Sequence, residues 1–159
     1  MRELLNVEDL VEIAVEDEAS GVAFYSAMAQ RTSEAELKAV FARLAEEEGH
    51  HQQRFQDIRR RMGPPATREE WAGQYQTYLQ TLTSGRAFPD PQSAIDRARS
   101  CRGDLAALDL ADRFERDTLM LMNELRGMLP AQDQAVVAKL VEEEQGHLVA
   151  LAEARRKLR

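Results

Sequence analysis

Cysteine is nearly absent: Cys101 is alone among 159 residues. A single thiol excludes an internal disulfide and any Cys-x-x-Cys metal or redox pair. Proline and glycine are sparse, at five and eight. Four of the prolines (Pro64, Pro65, Pro89, Pro91) fall between residues 63 and 91, so the remaining stretches carry few helix-breaking signals. Aromatic residues make up only 6 % and β-branched runs are almost missing, which leaves little material for a sheet. No apolar run approaches the roughly 18 residues of a membrane-spanning helix. Positive charge is also in deficit. Lys and Arg number 21 against 28 Asp and Glu, for a net charge of −7, which argues against a nucleic-acid partner. The basic clusters Arg59 to Arg61 and Arg155 to Arg159 sit where helices are expected to end, and there cations suit the macrodipole. The opening MRELLNVEDLVEIAVEDE is acidic and broken in its apolar content, unlike a signal peptide. The expectation is a cytoplasmic chain with no membrane partner.

What is present is helix periodicity. Hydrophobic residues at 43 % and charged residues at 31 % suit a helical bundle with a solvated exterior. One all-α domain is expected over 1–159, with helices at about 7–31, 34–62, 92–129 and 131–158. Asn6 reads as the cap of the first helix, and Ser33 with Glu36 as a capping box for the second. Gly63-Pro64-Pro65 stops the second helix. The 63–91 connection, with a possible short helix from Arg68 to Leu82, is long enough to carry the chain back to the other end of a four-helix bundle. The second and third helices would then run parallel. Cys101 and Leu105 fall in the apolar stripe of the third helix, so Cys101 reads as a small buried hydrophobe.

Each apolar stripe is interrupted at one level by polar residues. In the second helix, LAEEEGHHQQRF at 44–55 places Glu48 and His51 on the inner face, three residues and one turn apart. In the fourth, LVEEEQGHLVAL at 140–151 does the same with Glu144 and His147. Glu18 interrupts the first stripe and Glu115 the third. The two halves superpose: Glu18 and Glu115 are 97 residues apart, as are Tyr25 and Met122, while Glu48/Glu144 and His51/His147 are 96 apart. A helical hairpin is therefore written twice. The repeat also chooses between two possible Glu-x-x-His pairs, because Glu47 and His50 align with Glu143 and Gly146. Only Glu48/His51 recurs, and His50 reads as solvent-facing.

Four carboxylates at one level of a core repel each other, and burying each costs several kcal/mol, on the order given for buried ions. Two cations would neutralise them and take two neutral imidazoles as further ligands. A Glu from each of two helices plus Glu-x-x-His from each of two others is the donor set of a carboxylate-bridged dinuclear site.

With these motifs the chain resembles the ferritin-like superfamily, closest to rubrerythrin-type ferritin family proteins. The resemblance rests on Glu18-x6-Tyr25, LAEEEGHH at 44–51, FERDTLMLM at 114–122 and LVEEEQGH at 140–147. It implies a ferritin-like four-helix bundle with a diiron centre that reacts with oxygen or hydrogen peroxide. The ligands it implies are Glu18, Glu48, His51, Glu115, Glu144 and His147, with Glu48 and Glu144 bridging and Glu18 and Glu115 terminal. Tyr25 resembles a tyrosine that packs beside such a site and hydrogen-bonds a ligand carboxylate, and is the candidate catalytic residue. Two iron ions per chain are expected, manganese or a mixed pair being compatible with the same ligands.

There are departures. Rubrerythrins of full length carry a four-cysteine rubredoxin domain, and one cysteine cannot supply it, so an external rubredoxin-like electron donor is expected. Thr118 stands where rubrerythrins place an extra Glu, which makes the six-ligand set more like that of bacterioferritin, and Met122 replaces a second tyrosine. The leading expectation is an oxidoreductase reducing peroxide or oxygen, acting as a homodimer. A ferroxidase-type iron storage or sequestering protein is the alternative, and a non-catalytic helical interaction protein the third.

Overall fold

The computed structural model describes residues 4–63 and 73–158. All regular structure among them is helical: α1 (Val7–Arg31), α2 (Ala35–Arg61), α3 (Gly73–Ser84), α4 (Pro91–Ser100), α5 (Asp104–Arg126) and α6 (Ala131–Lys157). Helix α1 starts in a reciprocal capping box, the Asn6 side chain accepting from the Asp9 N–H and Asp9 from the Asn6 N–H. The cap of α2 is Glu34 and not Ser33. Its carboxylate accepts from the N–H groups of Glu36 and Leu37, at 3.1 and 2.6 Å, and a full negative charge suits a helix start better than a hydroxyl. The glycine that ends α2, Gly63, has φ +70, a left-handed conformation that disfavours side chains.

The expected helix from 92 to 129 is two helices. Cys101 turns extended and Gly103 adopts φ 90, so α4 ends and α5 begins afresh at Asp104. Arg31, at the end of α1, donates to the carbonyls of Ala98 and Cys101, two acceptors that the ending of α4 exposes. The break also shifts the helical phase. Leu105, expected inside, is half exposed, and Cys101 is only partly buried.

The packing of α1 on α2 and of α5 on α6 forms two hairpins, which meet through α1–α5 and α2–α6 contacts. Pairs such as Asp17 with Thr118 and Tyr25 with Glu115 run α1 and α5 antiparallel, so α2 and α5 run parallel. Part of the connection acts as a strap. Gln76 exchanges hydrogen bonds with the backbone of Leu5, Tyr75 and Tyr78 both donate to Glu124, and buried Phe88 packs at a tilt against Phe24 and Phe114 with centroids 5.0 and 5.3 Å away. The expected short helix at 68–82 is α3 from Gly73; its first residues, with Trp71, lie outside the described ones.

The core divides into two apolar clusters. One contains Phe24, Tyr25, Phe41, Leu44, Leu108 and Phe114; the other contains Leu10, Val11, Phe55, Ile58, Leu121 and Leu140. In α2, Glu48 and His51 fall between Leu44 of the first cluster and Phe55 of the second, and each of the other long helices changes cluster in the same way. The polar level is a layer sandwiched between two apolar ones. Among the described residues no helix is long and apolar enough to cross a membrane.

Candidate metal centre

Six of the residues singled out in the sequence meet in that layer. Glu18, Glu48, His51, Glu115, Glu144 and His147 are between 0 and 2 % exposed. The ligand atoms of Glu48, His51, Glu144 and His147 lie within 4.8 Å of one another. The Nδ1 of His51 is 2.7 Å from Glu144, 3.5 Å from Glu48 and 3.7 Å from Glu18. The Nδ1 of His147 is 2.8 Å from Glu144, 3.2 Å from Glu48 and 3.4 Å from Glu115. Each imidazole thus faces the two central carboxylates and one outer carboxylate. The two rings lie nearly parallel, 5.3 Å apart.

These contacts are close but poorly directed. Both oxygens of Glu18, both of Glu48, one each of Glu115 and Glu144, and Nδ1 of His147 have no hydrogen-bond partner of good geometry. His147 Nδ1 sits within ion-pair distance of Glu144 while remaining on that orphan set, so proximity does not amount to a bond. Buried polar groups are normally satisfied. Orphans gathered at one point, all of them oxygen or imidazole nitrogen, fit a ligand that accepts lone pairs, which is a cation.

Electrostatics tell the same story. Burial and the charges of Glu48 and Glu144 push the carboxyl of Glu18 well above its usual range; burial with the same two neighbours does so for Glu115. Burial also opposes charge on Glu48 and Glu144, but contacts that include both imidazoles outweigh it and hold these two low. The imidazoles respond in kind. Burial lowers His51 and His147, yet the surrounding carboxylates carry both far above the usual histidine value.

The hydroxyl of Tyr25 donates to Oε1 of Glu115, and burial plus that carboxylate's charge keep the phenol protonated. In this structure it therefore positions a candidate ligand.

Two residues outside those six complete the layer. Glu143 Oε2 lies 3.0 Å from Nε2 of His51, and Glu47 Oε2 lies 2.8 Å from Nε2 of His147. Each imidazole thus presents Nδ1 to the interior and Nε2 to a half-exposed carboxylate on the facing helix, an arrangement that fixes ring orientation. The signal was available, since Glu47 and Glu143 are also 96 residues apart, but it was tied to His50, which is exposed. A second network lies beside Glu18. Thr118 donates to Asp17 at 2.9 Å and Arg86 pairs with Asp17 at 3.2 Å, and burial lifts the Asp17 carboxyl to about 6 despite that cation. Arg86 comes from the strap, so the connection is anchored one residue from the centre.

The model of the family described as Rubrerythrin matches residues 9–155. Among solved structures, the chain is similar to one described as a ferritin-like diiron-carboxylate protein from Thermotoga maritima, with TM-score 0.76, 25 % identity and full coverage of both chains. No curated protein matches.

Proposed function

Because the chain belongs to the rubrerythrin family, we propose that its buried layer holds two iron ions and reduces hydrogen peroxide or oxygen. The observation that carries this reading is the convergence of six buried donors, most of whose facing atoms have no other partner. The name of the similar Thermotoga maritima structure supports diiron as the occupant. Glu18, Glu48, His51, Glu115, Glu144 and His147 would hold the ions, Glu48 and Glu144 from the centre and Glu18 and Glu115 from either side. Iron bound there supplies two accessible oxidation states and a Lewis acid for an oxygen-containing substrate.

The chain's own part is structural and electrostatic. Apolar layers above and below keep water from the centre, which strengthens every charge interaction within it. Glu47 and Glu143 hold the two rings with Nδ1 inward. Tyr25 fixes one oxygen of Glu115. The 159 residues hold a single cysteine, so electrons for repeated turnover would come from an external rubredoxin-like donor.

Ferroxidase-type storage is favoured by one detail. Thr118, at the place of the extra rubrerythrin Glu, is bonded to Asp17 and adds no donor to the six. The test is metal analysis of freshly purified protein, followed by peroxide addition to the ferrous form with and without a reductant. Two irons per chain and catalytic peroxide loss with reductant are the expected results. A single stoichiometric oxidation with retained ferric iron would establish the storage reading, and absence of iron or manganese would overturn both.

A further inference from the structure

The helices that carry the outer carboxylates, α1 and α5, are related by the same two-fold as the halves of the sequence. Residues 97 apart correspond, so Asp17 matches Phe114, Gly21 matches Thr118, Glu18 matches Glu115 and Tyr25 matches Met122. The structure obeys this operation at the crossing. Asp17 meets Thr118 in a hydrogen bond, and the corresponding pair, Phe114 and Gly21, is packed so tightly that a Cβ on Gly21 would come within 2.8 Å of the ring. The same operation carries the Tyr25–Glu115 pair onto Met122 and Glu18. Met122 is buried like Tyr25, but a thioether has no proton to donate. Accordingly Oε1 of Glu115 is bonded to the phenol, whereas neither oxygen of Glu18 has a hydrogen-bond partner.

We propose that this mismatch makes the two cation positions unequal, with the Glu115/His147 position loaded first and the Glu18/His51 position the looser one. The proposal rests on the metal-centre reading above and adds an order to it. The reason is preorganisation. Tyr25 grips one oxygen of Glu115 and leaves the other, Oε2, free at 3.4 Å from His147 Nδ1, so little side-chain freedom remains to be lost when a cation arrives. Glu18 is equally buried but has no such bond to fix which of its oxygens turns to the cation. Immobilising one such side chain is worth up to about tenfold in affinity. The hydrogen bond also draws charge from Glu115, but from the oxygen that does not face the imidazole. Tyr25 is thus a positioning residue for one half of the centre, and Glu18 is the carboxylate left free to change its mode of binding.

The probe is Mn(II), added to metal-free full-length protein and followed by electron paramagnetic resonance of the free ion. Glu18→Ala retains the Glu115/His147 position and Glu115→Ala retains the other. The first should bind one Mn(II) about tenfold more tightly than the second. Adding Tyr25→Phe to each should weaken the Glu18→Ala protein about tenfold and leave the Glu115→Ala protein unchanged, a contrast that general loosening of the core would not produce. In the chain with all six ligands, Tyr25→Phe should draw the two Mn(II) affinities together. This second measurement decides the matter where a single-carboxylate variant binds too weakly to measure. Equal affinities in the unaltered chain, or a Tyr25→Phe effect shared by both positions, would overturn the proposed order while leaving the metal centre standing. Failure of the unaltered chain to bind Mn(II) or Fe(II) would remove the centre and the order together.

Discussion

Loading the centre with metal should raise the melting temperature by about 10–28 °C, and Glu48→Ala should abolish most of that rise. The size follows from the buried layer in two ways. Seven of its donor atoms have no hydrogen-bond partner. At about 1 kcal/mol each, the low end for an unsatisfied buried group, they represent on the order of 7 kcal/mol that a ligand can recover. Independently, two cations each present at a hundredfold excess over Kd stabilise the folded state by about 5 kcal/mol. For a chain of this length each kcal/mol moves Tm by about 2–4 °C. Glu48 is the residue to remove because it lies within 3.5 Å of both imidazoles and so serves both positions. Its loss opens a small cavity and takes one carboxylate from between the two imidazoles. The metal-free variant should therefore melt below the metal-free parent, and the comparison is of the rise that metal brings to each. Thermal melts by circular dichroism, with chelator and with anaerobic Fe(II) or Mn(II), supply the comparison. A parent protein indifferent to metal, or a variant that gains as much as the parent, would refute the argument.

Three further outcomes follow from named contacts. Replacing both Glu47 and Glu143 by Gln should leave the helix content unchanged and cost about 10–100-fold in Mn(II) affinity, the range for removing partners that orient ligand imidazoles; calorimetric titration measures it. Gly21→Ala should destabilise the fold by about 1–3 kcal/mol in a urea titration, because the new Cβ meets Phe114 at 2.8 Å and Glu48 Cγ at 3.1 Å inside a packed core. Arg86→Ala leaves buried Asp17 without its cation and should cost about 3 kcal/mol, while adding Asp17→Asn should restore part of that loss.

Much of the buried polar layer could be read from one chain because its candidate ligands obey helical arithmetic. Glu48 with His51, and Glu144 with His147, are one turn apart, and the repeat at constant spacing separated them from the many other acids on the same helices. Glu47 and Glu143 were harder. On their own helices they sit among exposed Glu residues, and only the approach of α2 to α6 gives each a partner imidazole. The break at Gly103 was hidden for a related reason. One glycine within an apolar stripe is compatible with an unbroken helix, and what favours the turn here is Arg31, brought in from α1 to take up the freed carbonyls. Beyond its short helix, the strap had no periodicity to read. Its hold on Asp17 and Asp117 depends on Arg86 and on the backbone N–H of Ala87, groups without a distinctive spacing.

From its amino acids alone this chain determined its helices, its doubled hairpin and the level at which charge enters the core, since each depends on periodicities of three and four residues along one strand of chain. Only tertiary structure decided what those charges meet: which carboxylate receives a phenol, which imidazole leans on which outer Glu, and where the third rod of the bundle breaks. Those outcomes depend on contacts between residues that lie tens of positions apart, and no local rule of spacing contains them.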